Sequence, residues 1–528
     1  MRNKLILLTI VLLPAISLNS CNRETLSRDD VIQTLDSLEH KLTWIDYRLR
    51  LEHWQHYTTG TADSLTFFED LYNQVVSDPA ALNRMHNGRR VLTDELDLRR
   101  FDLIYGDMMV GRIESDRAIS RLRDSLSLLD INYRAAFEGE YRSSSELYQL
   151  YRTDPKPQRR EVAYRAWCSV GLQLADGLQR LIRLRNQTAS RLGYTNFLSV
   201  VFKQLGIDAQ EYNQLLEHLD SLSANPYRLI LDEHRTRLGL AEMEIWDIAF
   251  ADAALMKQVD AYFPADSQME YIGNSFKGIG FDLDSLPIYF DLQPREGKSQ
   301  FAYAFPIKPP HDQRVLANLV DGIYSAEVLL HEIGHTLEAV GFAQDRQLFA
   351  WSVRPAWTEG TAQIFAALVT DSLWLAKYAH LPPELITTYK AARQRQDVIY
   401  LRSQLVRLHF EFEAYSDPNR DLNQLYWDLV DRYMFVPRHE DIKPWAAVIH
   451  YTTHPVYLQN YLYADLIASQ SLAYLYDRYD HIVDNPSFKS FLNQNYFRFG
   501  SRYPWQELLE RGTGKKLLSL YYERRLGI

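Results

Sequence analysis

The pentapeptide His331-Glu332-Ile333-Gly334-His335 restricts this chain more than any other stretch in it. Two imidazoles four residues apart rise about 6 Å along an α-helix and leave the same face, so they can grip one cation only if the segment is helical. Their ring nitrogens then bind at about 2.0–2.1 Å and leave a coordination position for water. Glu332 is turned about 100° from His331, where its carboxylate can reach that water as general base. Ala326, Val328, Leu329, Leu330, Ile333, Leu337 and Val340 supply an apolar face, Ser325 and Asp321 offer caps, and Gly341 offers a stop.

A second segment, Pro355 to Leu368, reads as a helix beginning near Thr358, with Glu359 in its first turn and 24 residues beyond His335. That distance lets the first helix end, a loop cross, and an antiparallel partner bring one carboxylate to the metal. His331, His335 and Glu359 are therefore the expected ligands of one Zn²⁺ per chain, since two histidines and one glutamate leave a catalytic site open. The plainer alternative for Glu359 is a first-turn carboxylate stabilised by the helix dipole.

The rest of the chain is mostly helical in pattern. Residues 29–56, 63–77, 91–130, 162–193, 209–238, 384–413, 422–434 and 456–477 read as amphipathic helices. Between Leu286 and Pro306 the pattern changes: aromatic and β-branched residues flank an Arg295-Glu296-Gly297-Lys298 turn, which suggests a hairpin. Ala302 and Ala304 alternate with Phe301, Tyr303 and Phe305, leaving one face nearly bare, where a peptide could add as an extra strand. A strand packed against a bulky helix accounts for the same pattern.

The N-terminus reads as an address. Residues 1–20 hold a short basic start, an apolar run and then Leu18-Asn19-Ser20-Cys21, the form of a bacterial lipoprotein signal with Cys21 as the lipid-bearing residue. Residues 21–30 would be a short tether and residues 31–528 a single helical domain in two lobes, held at the bacterial cell envelope through Cys21 alone. No later stretch reaches 18 apolar residues, so the body is expected to be water-soluble. Cys168 then has no disulfide partner and sits in an apolar helical context, as a buried thiol. A net charge of −10 argues against nucleic acid as the main partner. The 528 residues, 46% of them hydrophobic, are ample for a deep core.

With these residues in hand, the chain resembles the gluzincin metallopeptidases of the angiotensin-converting-enzyme-like and oligopeptidase-like type. The motif with Glu359 carries the likeness, and three segments add to it. These are Phe301 to Phe305, the stretches Trp167–Gly171, Leu184–Ala189 and Gly193–Phe197, and His450 to Tyr461. The resemblance implies a mainly α fold, split by a deep central cleft with a small antiparallel sheet beside the zinc helix. It also implies a strand at Ala302 and Ala304 that pairs with peptide substrates, His450 and Tyr461 as oxyanion donors, and Tyr457 facing substrate, with His454 as rival to His450. Two departures stand out. Val448 occupies the place of a lysine that holds a substrate's C-terminal carboxylate. Gln363 replaces an aspartate that orients a ligand histidine, though its amide oxygen could still accept an imidazole N–H. The function expected is zinc-dependent hydrolysis of short peptides. A ligand-capturing surface lipoprotein and a metallopeptidase relative without activity are the alternatives.

Overall fold

The computed structural model describes residues 27–351 and 354–528. The 1–20 leader, Cys21 and most of the tether lie outside the described residues.

Helix boundaries follow the caps. The first helix, Arg28–Thr59, opens on a Ser27/Asp30 capping box and ends where Gly60 takes φ 77. The single helix expected over 91–130 is two, Glu95–Glu114 and Arg117–Asn132. Asp116 accepts the Ala118 N–H and starts a new helix inside an apolar period that reads as continuous. Likewise 456–477 begins only at Gln459, because Val456 sits at φ 56 and cannot belong to a helix. The helix expected over 162–193 spans Pro157–Arg191, its proline at the first turn where no N–H is needed. No described helix is long and apolar enough to cross a membrane.

Five strands complete the fold. β1 (Ala135–Phe137) and β2 (Glu140–Arg142) form a small antiparallel pair. β3 (Ile288–Asp291), β4 (Tyr303–Lys308) and β5 (Asp312–Leu316) form a sheet in the order β3-β5-β4. The hairpin expected between Leu286 and Pro306 is therefore redrawn: β5 inserts between its two arms, parallel to β3 and antiparallel to β4. The antiparallel turn falls at Pro309-Pro310-His311 instead. The Arg295–Lys298 stretch is a loop, bound by Lys298, whose Nζ donates to Asp291 and to the carbonyls of Gln293 and Ala317.

A large core runs from Met109 to Leu526 and takes in the motif helix. Two smaller clusters flank it. The first helix packs with residues 76–108 and with Phe342, Leu348 and Phe349, and its Tyr47, Leu51, Trp54 and Tyr57 cover Phe305, Ile307 and Leu316 of the sheet. The sheet thus lies between the first helix and the motif helix, with β4 at its open edge.

Candidate metal centre

The motif helix, Ile323–Val340, has no side-chain cap of its own, since it begins after Gly322 at φ 121. Asp260, from a distant helix, accepts the Ile323 N–H at 3.0 Å. The two expected caps serve elsewhere: Asp321 accepts from Ala265 N–H, and Ser325 donates to Gln268 while accepting from Val320 N–H. Gly341 ends the helix as expected. The second helix, Pro355–Ala366, starts three residues before Thr358.

Two glycines set how closely the elements approach. A Cβ on Gly334 would lie 2.9 Å from the Ala362 Cα, and one on Gly360 would lie 2.9 Å from Ile467 in the helix Gln459–Tyr479. Three helices are therefore stacked almost backbone to backbone, and that stacking holds Glu359 against the histidine pair.

The three donors converge. His331 Nε2 lies 3.1 Å from His335 Nε2 and 3.2 Å from Glu359 Oε2, and His335 Nε2 lies 3.8 Å from the same oxygen. Tetrahedral bonds of 2.0–2.1 Å place donors about 3.3 Å apart, so the triangle fits a single small divalent cation. It is the one group of three or more His, Cys, Asp or Glu among the described residues with that closeness.

The side chains of His331, His335 and Glu359 keep 18%, 19% and 14% of their surface accessible, yet burial is the largest influence on each. Burial and then repulsion from His331 bring His335 down to about 4. Burial opposes charge on His331 too, but the Glu359 hydrogen bond and the carboxylates of Glu332, Glu359 and Glu327 outweigh it and raise its pKa. Burial would raise Glu359; His331, His335 and the Tyr457 hydroxyl overcome it and hold the carboxyl down at about 2. Glu332 is raised to about 7, by burial first, with His331 and the Ala304 N–H of β4 acting against that. Glu332 is thus beside the triangle but outside it.

The His/Tyr segment closes over the same place. Tyr457 Oη donates to Glu359 Oε1 at 2.9 Å, so it orients the carboxylate. The His450 ring lies 6.3 Å from that of Tyr457 and 6.1 Å from those of Tyr461 and His454. Burial, then His454 and Arg407, lower His450 to about 4, leaving a neutral imidazole with an N–H to give. Tyr461 is raised, by burial first and then by the charges of Glu359, Tyr400 and Glu332. His454 is exposed, bonded to its neighbour Thr453 and influenced by Arg123 rather than by Glu359. Ala304 lies in β4 and Ala302 just before it, both half-buried on the open edge. Gln363 takes no hydrogen bond from either imidazole among the described residues. Glu338, one turn past His335, does the tying there, accepting from Arg354 at 2.6 Å and from Thr361 at 2.7 Å and so linking the helices Ile323–Val340 and Pro355–Ala366.

Supports arrive from the N-terminal half. Arg185, fully buried, pairs with Glu114 and donates to the carbonyls of Tyr451 and Thr452, which pins the short helix carrying His450. Cys168 is buried and its thiol is pushed up by desolvation, as an inert core residue.

The chain is similar in fold to PZ peptidase A. The solved structure of that protein with inhibitor 2 superimposes at a TM-score of 0.69 with 16% identity, covering 94% of this chain and 93% of that one. At that identity the likeness is one of architecture, and the mainly α fold is the finding. No family model and no curated protein matches the sequence.

Glu411 deserves a test of its own position. It is buried, accepts the Val456 N–H at 2.7 Å, and so holds the left-handed turn that presents Tyr457. Burial raises its carboxyl to about 7, against the Val456 hydrogen bond and Arg185. A folded pKa above the unfolded one means the native state holds the extra proton, so stability is full below about pH 4.5 and declines as pH rises through 7. The loss approaches about 3 kcal/mol at most, at about 1.36 kcal/mol per unit. Glu411→Gln is expected to flatten this dependence. Urea melts at pH 5 and pH 8 should show the variant gaining on the parent at the higher pH, and parallel curves would contradict it.

Proposed function

We propose that the protein is a zinc-dependent peptidase that hydrolyses short peptides lying along β4 and beneath the His450–Tyr461 segment. The observation carrying this reading is the triangle of His331, His335 and Glu359 with the ionisable Glu332 next in sequence and outside the donor set. The fold shared with PZ peptidase A supports it. When bound, Zn²⁺ supplies Lewis acidity that polarises a scissile carbonyl and makes water more acidic.

The chain's own residues do the rest. Glu332 takes a proton from the attacking water as the water oxygen bonds to the carbonyl carbon. It returns that proton to the amide nitrogen as the C–N bond breaks, and the second water proton passes from the new carboxyl group to the amine, so that a carboxylate and an ammonium result. His450 and Tyr461 present neutral N–H and O–H donors to the oxygen that gains charge, each worth about 2.7–4 kcal/mol when aimed well. The edge of β4 at Ala302 and Ala304 gives an extended backbone a ladder to pair with. The leader at residues 1–20 and Cys21 support a lipid-anchored placement at the bacterial envelope.

A quenched fluorescent peptide library tests the reading. Cleavage is expected from the purified protein, abolition by a chelator, and restoration by about one equivalent of zinc per chain. Stoichiometric zinc with no cleavage of any member would indicate the inactive relative, and neither zinc nor cleavage the ligand-capturing protein.

A further inference from the structure

The Tyr461 hydroxyl makes no hydrogen bond among the described residues, and its ring lies 6.1 Å from that of His450 and 5.5 Å from that of Tyr457. Its aim therefore follows the helix that carries it, Gln459–Tyr479, in whose first turn it sits. That helix has no side-chain cap. Tyr457 is tied to Glu359 before the helix starts, and Ile467 rests on Gly360. An apolar contact of this kind sets the spacing of two helices and constrains rotation about their axes only weakly. The first charged side chain along the helix is Asp465, one turn beyond Tyr461 and on the same face.

Asp465 is buried, and the sole hydrogen-bond partner of its carboxylate among the described residues is the guanidinium of Arg525, at 3.0 Å. Arg525 belongs to the helix Leu520–Leu526, which is seated by the buried Tyr522 and Leu526. Gln470, further along the helix of Tyr461, fixes the approach to it. Its side chain accepts the Leu518 N–H at 2.8 Å and donates to the carbonyls of Lys515 and Lys516 at 3.1 Å. Arg525 also reaches the metal side through its main chain. Its carbonyl accepts from Gln394 Nε2 at 3.2 Å, in the long helix Pro383–Ser416. The adjacent Arg393 grips Glu327 through two bonds of 2.7 and 2.8 Å, and Glu327 lies one turn before His331. Gly527 makes this junction tight: at φ 71, a Cβ there would lie 2.6 Å from Gln394 Nε2.

We propose that Arg525 is a positioning residue for Tyr461. By holding Asp465 with its side chain and Gln394 with its carbonyl, it fixes the rotation of the Tyr461 helix against the helix of His331 and Glu332. The assignment rests on the peptidase reading and adds to it a residue that touches neither metal nor substrate. Without the guanidinium a buried carboxylate loses its donor and turns toward water. The turn bearing Tyr461 moves with it, and a donor slightly out of aim stabilises the developing oxyanion less.

The test reads kcat, KM and zinc content of the zinc-loaded protein, together with the fluorine NMR resonance of a fluorotyrosine placed at position 461. Arg525→Gln is expected to lower kcat by roughly 10-fold while KM and zinc content stay within about twofold of the parent. Arg525→Lys, which keeps a cationic donor, should recover most of the loss. In a Tyr461→Phe background the same Arg525→Gln should cost little more, because the group it aims is already gone. A folding defect lowers kcat in both backgrounds alike, so the comparison separates it from positioning. An unchanged kcat, a loss of equal size in the two backgrounds, or a fall carried by KM or by zinc would overturn the assignment. The fluorine resonance needs no turnover. If the parent cleaves no peptide, the peptidase reading fails by itself. A resonance moved by Arg525→Gln and kept by Arg525→Lys still upholds the positioning, and one unmoved by Arg525→Gln sinks it.

Discussion

Glu332→Gln is expected to stay folded, keep its metal and lose turnover by roughly 10²–10⁴-fold, the range of a positioned general base. The substitution changes almost nothing else. Glutamine has the same shape, and Glu332 stands outside the donor triangle, so His331, His335 and Glu359 keep their 3.1–3.8 Å spacings. Removing a buried carboxyl whose charged form is disfavoured should not weaken the fold. An amide cannot accept the proton of the attacking water. Measured metal content and kcat therefore part company in this variant: near-parental zinc by elemental analysis, with near-silent peptide hydrolysis. A kcat within tenfold of the parent would remove Glu332 from the proton-transfer step.

Glu359→Ala should act the other way, on the metal itself. Losing the carboxylate leaves two imidazoles with no charge to balance a divalent cation and frees Tyr457, whose hydroxyl now donates to it at 2.9 Å. Zinc affinity is expected to fall by more than the roughly 10–100-fold that loss of an outer hydrogen bond produces. Tyr457→Phe supplies that smaller reference effect in the same assay. Competition against a chelating indicator gives both constants. Equal zinc affinity in Glu359→Ala and the parent would place the third ligand elsewhere.

Much of this site can be read from the sequence because its chemistry is local. Two histidines four apart need only a helix, and Glu359 needs only a second helix at a short loop's distance. The His450–Tyr461 segment is legible as a cluster because its members fall within twelve residues, and the structure does gather their rings. What stays hidden is long-range. Asp260 capping Ile323, Glu338 tying Arg354 to Thr361, and Arg185 reaching the carbonyls of Tyr451 and Thr452 join residues whose pairing no periodicity encodes. β5 between β3 and β4 is missed for the same reason, since a turn at Gly297 predicts the nearest pairing and the parallel partner lies beyond it.

The close approach at Gly334 and Gly360 bears on how the centre is assembled in time. With main chains in near contact, the donor triangle has little slack to lose, and its shape is fixed by the packing of three helices rather than by the ion. Stripped protein should therefore keep an open, ready-made socket, and reloading should proceed at the pace of ion encounter, with no slow ordering phase behind it.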